Sequence, residues 1–365
     1  MAGTKKRNKN HKSLIAENRF KKTSISSLRN KSSQKKKSKS ASNSSSSSSS
    51  NFLIKFFKKI THFFLRIIWG LTWRTSLIIF LGITSAVSYY YFNMKEFSSF
   101  LDERARGSVT LEDYKGEVFA WRGDNFSKNL TAKNISPHLK NAILATEDRG
   151  FYSHVGISPR GIGSAVFINL REGRGPLSGH GGSTITQQTA KLVCLGKPFS
   201  QADWNSEKDY EDSCRTSTIW RKIKEALYAL SLEFKFSKDE ILTIYINRVF
   251  LGAGTRGFEA AAQRYFGKSA KIVNPSEAAM LAGLLKAPTR YAPTNNLKRS
   301  QERANLIIGL MENQNFLSKA EAKFARENPA TLSKFAQAKA GGYFADWVMA
   351  SLPDYLPYET TEDVV

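Results

Sequence analysis

An uncharged run of twenty residues, TSLIIFLGITSAVSYYYFNM at 75–94, constrains the fold of this chain more than any other stretch. About 20 apolar residues let a helix cross the hydrocarbon core of a bilayer, so the run predicts one transmembrane helix. Basic residues cluster just before it, between 55 and 74. This asymmetry places the N-terminus in the cytoplasm. A signal peptide is disfavoured by the long preceding segment, and a buried core helix by the lack of an amphipathic pattern.

The segment before this run has a different composition. Residues 1–74 contain nineteen Lys or Arg and one acid, Glu17, so they hold +18 of the total net charge of +24. Serine fills positions 44–50. Because such a segment cannot bury a core, residues 1–60 are predicted to be a disordered basic tail. A nucleic-acid-binding or scaffold protein is an alternative, but basic runs without interleaved aromatic residues favour a solvated or lipid-facing segment, so we expect no nucleic-acid partner.

Beyond the apolar run, the pattern is mainly helical. Residues 107–122 alternate apolar and polar side chains around Lys115-Gly116, which predicts a short β-hairpin near the membrane. From residue 137 onward, apolar residues recur at helical spacing and follow cap signals such as Ser136-Pro137. Helices are predicted at 137–148, 159–171, 184–194, 218–236, 238–249, 257–266, 275–286, 298–314 and 319–327.

A polar segment, residues 193–217, interrupts the helical pattern and contains both cysteines, Cys194 and Cys214. In a domain outside the membrane this pair could form a disulfide that closes the segment. Two buried free thiols are the alternative. A zinc site is disfavoured because no histidines accompany the cysteines.

Glu147 has an unusual predicted setting, in the last turn of the 137–148 helix. A carboxylate there meets the negative end of the helix dipole, which should raise its pKa. An acid with a raised pKa is a candidate general base. The alternative is a solvated acid at a helix end.

Five blocks with reactive side chains follow one another along the chain. Each is weak alone; a Lys–Glu pair at helical spacing, such as Lys222 and Glu225, is usually a surface salt bridge. In this order they resemble the five motifs of the peptidoglycan glycosyltransferases, glycosyltransferase family 51, found in class A penicillin-binding proteins. The blocks are Glu-Asp-x-x-Phe-x-x-His-x-Gly at 147–156, Gly-x-Ser-Thr-x-Thr-Gln-Gln at 181–188, Arg-Lys-x-x-Glu at 221–225, Lys-x-x-Ile-Leu-x-x-Tyr-x-Asn at 238–247 and Arg-Gly-x-x-Ala at 256–260.

The resemblance implies a mainly α, lysozyme-like domain that polymerises lipid II with inversion and releases undecaprenyl pyrophosphate. It implies that Glu147 is the catalytic base and that Glu225 is a second catalytic acid near the donor phosphates. One base beside lysines suits a transferase, because pyrophosphate leaves as an anion and needs cations rather than a proton donor. A lysozyme-like peptidoglycan hydrolase, whose alkoxide leaving group needs an acid, is the alternative. The substrate-binding residues implied are Asp148, His154, Ser183, Thr184, Gln187, Lys191, Lys222, Asn247 and Arg256.

The resemblance also implies the surroundings of this domain. The partners would be lipid II, the growing glycan strand and membrane lipid, and other cell-wall synthesis proteins could join them. No cofactor is required by the sequence, and no metal ligands are assigned, although a divalent cation such as Mg²⁺ could bind the pyrophosphate. The location would be the bacterial cytoplasmic (inner) membrane, with the catalytic domain on the periplasmic side.

Two departures from the family pattern affect the domain organisation. The 193–217 insertion should displace Arg215, which puts a phosphate-binding role for that arginine in doubt. The sequence contains no Lys-Thr-Gly, and Ser-x-x-Lys occurs only in the basic tail. We therefore expect a glycosyltransferase domain at 100–330, and then a linker at 331–365 toward a transpeptidase domain that is absent here, so that the chain polymerises without cross-linking.

We predict that residues 95–365 lie outside the cytoplasmic membrane, because positive charge is concentrated before the apolar run. Protease added to intact spheroplasts should therefore digest the chain beyond residue 100. Protection of that region until the membrane is permeabilised would contradict the predicted topology.

Overall fold

The computed structural model describes the chain from residue 48 to residue 337, with several short gaps. The predicted tail up to residue 47 and the predicted linker from residue 338 onward lie outside the described residues. The chain divides into two units, residues 1–69 and residues 70–365. The described ranges are 48–102, 109–112, 114–116, 118–122, 130–176, 179, 181–197, 199–200, 203–204, 207–216 and 218–337.

Helix α1 spans Ser48–Asn93 and contains the predicted transmembrane run. Its portion Lys55–Asn93 is long and apolar enough to cross a membrane, with a mean hydropathy of 1.5. The helix begins before residue 75 and inside the predicted tail, so the predicted boundary at residue 60 is corrected. The physical reason is that Phe, Leu, Ile and Trp are interspersed with the basic residues from position 52 onward, and they extend the helical apolar surface.

A short helix and a hairpin follow α1. Helix α2 spans Phe97–Asp102, and strands β1 (Val109–Glu112) and β2 (Val118–Arg122) pair antiparallel. The register places Val109 opposite Arg122, with an irregularity after Leu111. The predicted hairpin is therefore present.

The remaining described elements are helices, which confirms the predicted mainly α fold class. All nine predicted helices are present, with ends that differ from the predicted ones by at most two residues, because cap signals mark their starts. They are α3 (Pro137–Glu147), α4 (Pro159–Arg171), α5 (Ile185–Leu192), α7 (Ile219–Lys235), α8 (Lys238–Arg248), α9 (Phe258–Phe266), α10 (Pro275–Leu284), α12 (Leu297–Asn313) and α13 (Lys319–Glu327), with the further α6 (Glu207–Arg215), α11 (Pro288–Tyr291) and α14 (Lys334–Gln337) between and after them.

Helix α10 forms the centre of the core. Its residues from Ser276 to Leu284 are all buried, and it contacts α3, α9, α12 and α13. Small side chains allow this close approach, since a Cβ on Gly283 would lie 3.1 Å from the Arg303 Cγ of α12. A second group of helices forms beside it, where α5 contacts both α7 and α8. The functional side chains described below come from α3, α5, α7 and α8.

The side chain of Asn247 attaches the start of the described domain to α8. Its Nδ2 donates to the carbonyl oxygens of Leu130 and Thr243, both at 2.7 Å, and its Oδ1 accepts from the Leu130 N–H at 3.1 Å. Leu130 is fully buried, so its two backbone groups have no access to solvent. Asn247 therefore supplies the hydrogen bonds that water would otherwise make with the backbone of this buried residue.

We predict that Asn247→Ala lowers the free energy of unfolding by about 2 to 4 kcal/mol, because it leaves the buried N–H and C=O of Leu130 without partners. Asn295→Ala is the matched control, since Asn295 is exposed and its Nδ2 donates to the Thr289 carbonyl alone. Denaturant unfolding of both variants measures the difference. Equal, small losses of unfolding free energy in the two variants would contradict a structural role for Asn247.

Candidate active site

The carboxylate of Asp148 joins the end of α3 to the start of α5. It accepts a hydrogen bond from the backbone N–H of Ile185, the first residue of α5, at 3.1 Å. It also accepts from His154 Nε2 at 2.9 and 3.0 Å. Since a carboxylate only accepts, Nε2 carries the proton in this pair. Both side chains are nearly buried, so Asp148 and His154 hold the backbone rather than face a cavity.

Gly156 and Thr184 form a second junction beside the first. The Thr184 hydroxyl donates to the Gly156 carbonyl at 2.5 Å, and Thr184 forms a capping box with Gln187. Gly156 has a positive φ of 70°, and a Cβ there would lie 3.0 Å from the Ala229 carbonyl oxygen of α7. Only glycine satisfies both conditions. The two motif residues therefore set how closely α5 approaches α7.

Glu147 is the last residue of α3, and its carboxylate points toward α5. Its Oε2 accepts from the Gln188 Nε2 at 2.8 Å. Burial is the main reason that the pKa of Glu147 is raised, and the charge of Asp148 adds to it, while the Gln188 hydrogen bond and the charges of Arg303 and Lys191 oppose it. The predicted direction agrees with this shift. Burial, however, is the main cause, whereas the sequence suggested the helix dipole.

Gln188 and Arg221 are site residues that sequence reasoning missed, and Gln188 is the one that contacts Glu147. The Gln188 Oε1 accepts from the Tyr245 hydroxyl at 3.4 Å, so it links α8 to the Glu147 carboxylate. Burial raises the pKa of Tyr245 well above its usual range, so this hydroxyl stays neutral and keeps the proton that it donates to Gln188. The sequence did contain a signal for Gln188. It lies four residues after Thr184 and three residues before Lys191, and this spacing places all three on one helix face.

A group of cations lies beside Glu147. The pKa of Lys191 is lowered by burial and then by the charges of Arg221 and Arg215, and it is raised by Glu147. Arg221 forms an ion pair with Glu225 across one turn of α7, and both side chains are largely buried. Glu147 and Glu225 therefore have different environments, since Glu147 bonds to a neutral amide and Glu225 to a guanidinium.

Lys191 and Arg221 border a cavity of about 630 Å³. One wall comes from α5 and α7, and the other comes from the insertion that contains α6. The lining includes lysine, arginine and tryptophan side chains, which suit an anionic ligand that also has apolar or sugar parts. The residues from α5 and α7 that line it are Lys191, Trp220, Arg221, Lys224 and Glu225.

Comparison with known proteins identifies the family. The sequence model of the transglycosylase family matches residues 115–312, which is more than half of this chain. The chain belongs to the transglycosylase family. This match confirms the predicted family and enzyme class, a peptidoglycan glycosyltransferase of the kind found in class A penicillin-binding proteins.

Curated relatives share this part of the chain. "Penicillin-binding protein 1A" of Aquifex aeolicus is 38% identical over 236 residues, covering 65% of this chain and 30% of that protein. "Penicillin-binding protein 1A" of Haemophilus influenzae is 40% identical over 218 residues, covering 60% of this chain and 23% of that protein. "Penicillin-binding protein 1A" of Streptococcus oralis is 33% identical, covering 70% of this chain and 38% of that protein. The chain therefore spans less than two fifths of the length of these relatives.

Several predicted substrate-binding residues of this transglycosylase bond to its own backbone or side chains. Asp148, His154, Thr184, Gln187 and Asn247 all do so. Ser183 is exposed at the start of α5, and Arg256 is half-buried in the loop that bridges back to Phe250.

The structure separates Lys191 from Lys222, which the sequence had grouped together. Lys191 lines the cavity, whereas Lys222 is exposed on α7 and is not among the described residues that line it. Arg221 rather than Lys222 pairs with Glu225. The four-residue step from Arg221 to Glu225 brings the pair together along one helix face.

The insertion of this transglycosylase is closed by a disulfide between Cys194 and Cys214, as predicted, with Cα atoms 5.3 Å apart. The displacement of Arg215 by the insertion stays a prediction. Arg215 lies exposed at the end of α6 and is not among the described residues that line the cavity, although its charge lowers the pKa of Lys191. Helix α6 contacts α5, which helical periodicity in a polar segment does not indicate.

We predict that Gln188→Ala moves the acid limb of the transglycosylase pH–rate profile to higher pH. The amide hydrogen bond stabilises the ionised Glu147, so its loss should raise the pKa of this carboxyl further and leave less base at a given pH. Gln187→Ala is the control, because Gln187 caps α5 and does not bond to Glu147. Initial rates between pH 4 and 8 measure the shift; an unmoved acid limb in Gln188→Ala would contradict the assignment of Glu147 as the base.

Proposed function

We propose that this domain polymerises lipid II into glycan strands, with Glu147 as the base and the Lys191 side of the cavity as the binding site for the donor pyrophosphate. The observation that carries the proposal is the placement of a carboxyl with a raised pKa beside the partly buried cation Lys191 and its neighbour Arg221. A base near neutral pKa and a fixed anion site are the two requirements of this transfer.

The reaction needs one proton acceptor. The 4-hydroxyl oxygen of the acceptor sugar forms a bond to C1 of the donor, and the bond from C1 to the pyrophosphate oxygen breaks with inversion. The hydroxyl proton passes to the Glu147 carboxylate, and undecaprenyl pyrophosphate leaves with the bonding electron pair. Gln188 keeps the carboxylate in place through its 2.8 Å hydrogen bond, which reduces the reorganisation needed at the moment of transfer.

The leaving group needs positive charge. Lys191 and Arg221 lie on two helices, α5 and α7, that contact each other, so their charges converge on one side of the cavity. Glu225 is paired with Arg221, which suits a role in orienting this guanidinium rather than in removing the hydroxyl proton. A hydrolase would need a proton donor for its alkoxide leaving group, and this cationic side of the cavity favours a transferase instead.

A divalent cation such as Mg²⁺ at the pyrophosphate stays a prediction. Among the described residues no group of three or more His, Cys, Asp or Glu side chains forms a metal site. The Lys191 side of the cavity offers cations rather than metal ligands, so no reaction step is assigned to a metal.

The membrane anchor fits a lipid-linked substrate. Helix α1 can span a bilayer, and its last turn contacts α7: the Ser231 hydroxyl donates to the Val87 carbonyl at 3.0 Å, and the Tyr90 and Tyr228 rings lie 5.3 Å apart. We propose that the N-terminus is cytoplasmic and the catalytic domain periplasmic. The growing glycan strand, membrane lipid and other cell-wall synthesis proteins are the proposed partners.

We predict that Glu147→Gln lowers kcat for lipid II polymerisation by about a hundredfold or more while lipid II binding is kept, because the base acts only as the proton leaves. Lys191→Ala should weaken binding as well, since the pyrophosphate is charged before and after transfer. Glu225→Gln should have effects on kcat and on binding that lie between those of Glu147→Gln and Lys191→Ala. Polymerisation of labelled lipid II and direct binding of a donor analogue are the measurements.

Glu302→Gln serves as the control, because Glu302 is an exposed acid on α12 away from the cavity. Near-normal turnover in Glu147→Gln together with an inactive Glu225→Gln would reverse the two roles. Shortening of preformed glycan by the wild-type protein, without polymer from lipid II, would support the hydrolase instead.

A further inference from the structure

The insertion contributes a wall of its own to the cavity. This wall contains two aromatic residues, Trp204 and Tyr210, and polar side chains such as those of Ser200 and Asp203. The cavity volume of about 630 Å³ lies in the range of sites that enclose a drug-sized ligand, so a pyrophosphate group near Lys191 would fill only part of it. The space along the insertion wall is therefore available to another part of the same ligand.

Trp204 has a fixed position on this wall. The backbone N–H groups of Asp203 and Trp204 both donate to the Ser200 carbonyl, at 3.1 and 3.2 Å, so the chain turns just before the indole. The Trp204 ring lies 6.0 Å from the Tyr210 ring at an interplanar angle of 65°. A contact at this angle leaves at least one face of the indole uncovered by Tyr210.

Tyr210 supports Trp204 from within the insertion. Its side chain is buried, its hydroxyl donates to the Lys197 carbonyl at 2.5 Å, and its ring lies 5.7 Å from the Phe199 ring. Lys197 lies just after α5, whereas Tyr210 belongs to α6, so this hydrogen bond joins the two ends of the insertion. A supported indole loses little conformational entropy when a ligand packs on it.

A second indole lines the cavity from the opposite wall. Trp220 lies in the first turn of α7, directly before Arg221, and its side chain is 74% exposed. Within the part of the chain that the structure describes, neither Trp204 nor Trp220 donates its indole N–H to another residue. Both donors are therefore available to a ligand that enters between the two walls.

The mixture of groups on the insertion wall favours a sugar over a hydrocarbon chain. A pyranose ring presents C–H groups that pack on an indole face, and hydroxyl groups that can bond to the Asp203 carboxylate and the Ser200 hydroxyl. A polyprenyl chain in the same place would remove these polar side chains from water without replacing their hydrogen bonds, which costs free energy.

We propose that Trp204, supported by Tyr210, binds the sugar that is attached to the donor pyrophosphate, so that the insertion distinguishes glycosylated from unglycosylated polyprenyl pyrophosphates. This inference rests on the proposed function, because a pyrophosphate near Lys191 sets where the sugar begins. The contact is made by the donor and is missing in the released undecaprenyl pyrophosphate, so it favours exchange of product for donor.

The test compares two ligands that share the polyprenyl pyrophosphate part. Labelled undecaprenyl pyrophosphate is bound to the full chain in detergent and is displaced by unlabelled lipid II, so both constants report on one site. All proteins carry Glu147→Gln, which keeps lipid II from being consumed. We expect Trp204→Ala to raise the inhibition constant of lipid II about tenfold, the effect of losing one aromatic contact with its hydrogen bond. The Kd of undecaprenyl pyrophosphate should change by less than about twofold.

Three further variants separate the sugar contact from other effects. Trp204→Phe keeps an aromatic face and should retain most of the affinity for lipid II. Lys191→Ala should weaken the binding of both ligands, since both contain the pyrophosphate. Tyr114→Ala is the matched control and should change neither constant, because Tyr114 is an exposed aromatic residue in the hairpin turn.

Separate outcomes overturn the two proposals. An unchanged inhibition constant of lipid II in Trp204→Ala would overturn the sugar contact alone. Equal weakening of both ligands in this variant would also overturn it, because the indole would then act on the part that the two ligands share. An undecaprenyl pyrophosphate Kd that Lys191→Ala leaves unchanged would overturn the proposed pyrophosphate site itself.

Discussion

The hydrogen bond from the Ile185 N–H to the Asp148 carboxylate is the interaction on which the rest of the site depends. It attaches the start of α5 to the end of α3, and His154 holds the same carboxylate from the other side. Glu147 is the neighbour of Asp148, and Gln188 lies one turn after Ile185. The 2.8 Å contact between Glu147 and Gln188 is therefore a consequence of this attachment. An anion at a helix N-terminus is also favoured electrostatically.

Much of the first two motifs forms this framework rather than a substrate surface. Gly156 allows α7 to approach, Thr184 bonds to Gly156, and Asp148 bonds to α5. These residues act on the reaction by fixing the position of Glu147, whose pKa depends on burial. A change in any of them should therefore alter both stability and the acid limb of activity, because one set of contacts determines both.

Burial has the opposite effect on the cations that line the cavity. A base benefits from burial, whereas clustered positive charges are destabilised by it until an anion arrives. The packing of α5 against α7 and the Arg221–Glu225 ion pair hold Lys191 and Arg221 near each other despite this repulsion. The cationic side of the cavity thus stores unfavourable electrostatic energy that a bound anion would relieve, which is a form of preorganisation for binding.

The sequence alone determined the long helices, the hairpin, the apolar run within α1 and the direction of the Glu147 pKa shift, because cap residues, periodicity and hydropathy act over a few neighbouring positions. It also indicated the Cys194–Cys214 pair. Only the tertiary structure decided that Gln188 bonds to Glu147, that Arg221 rather than Lys222 pairs with Glu225, and that Asn247 holds the backbone. These outcomes depend on which helix faces meet across tens of residues, and local spacing does not encode that contact.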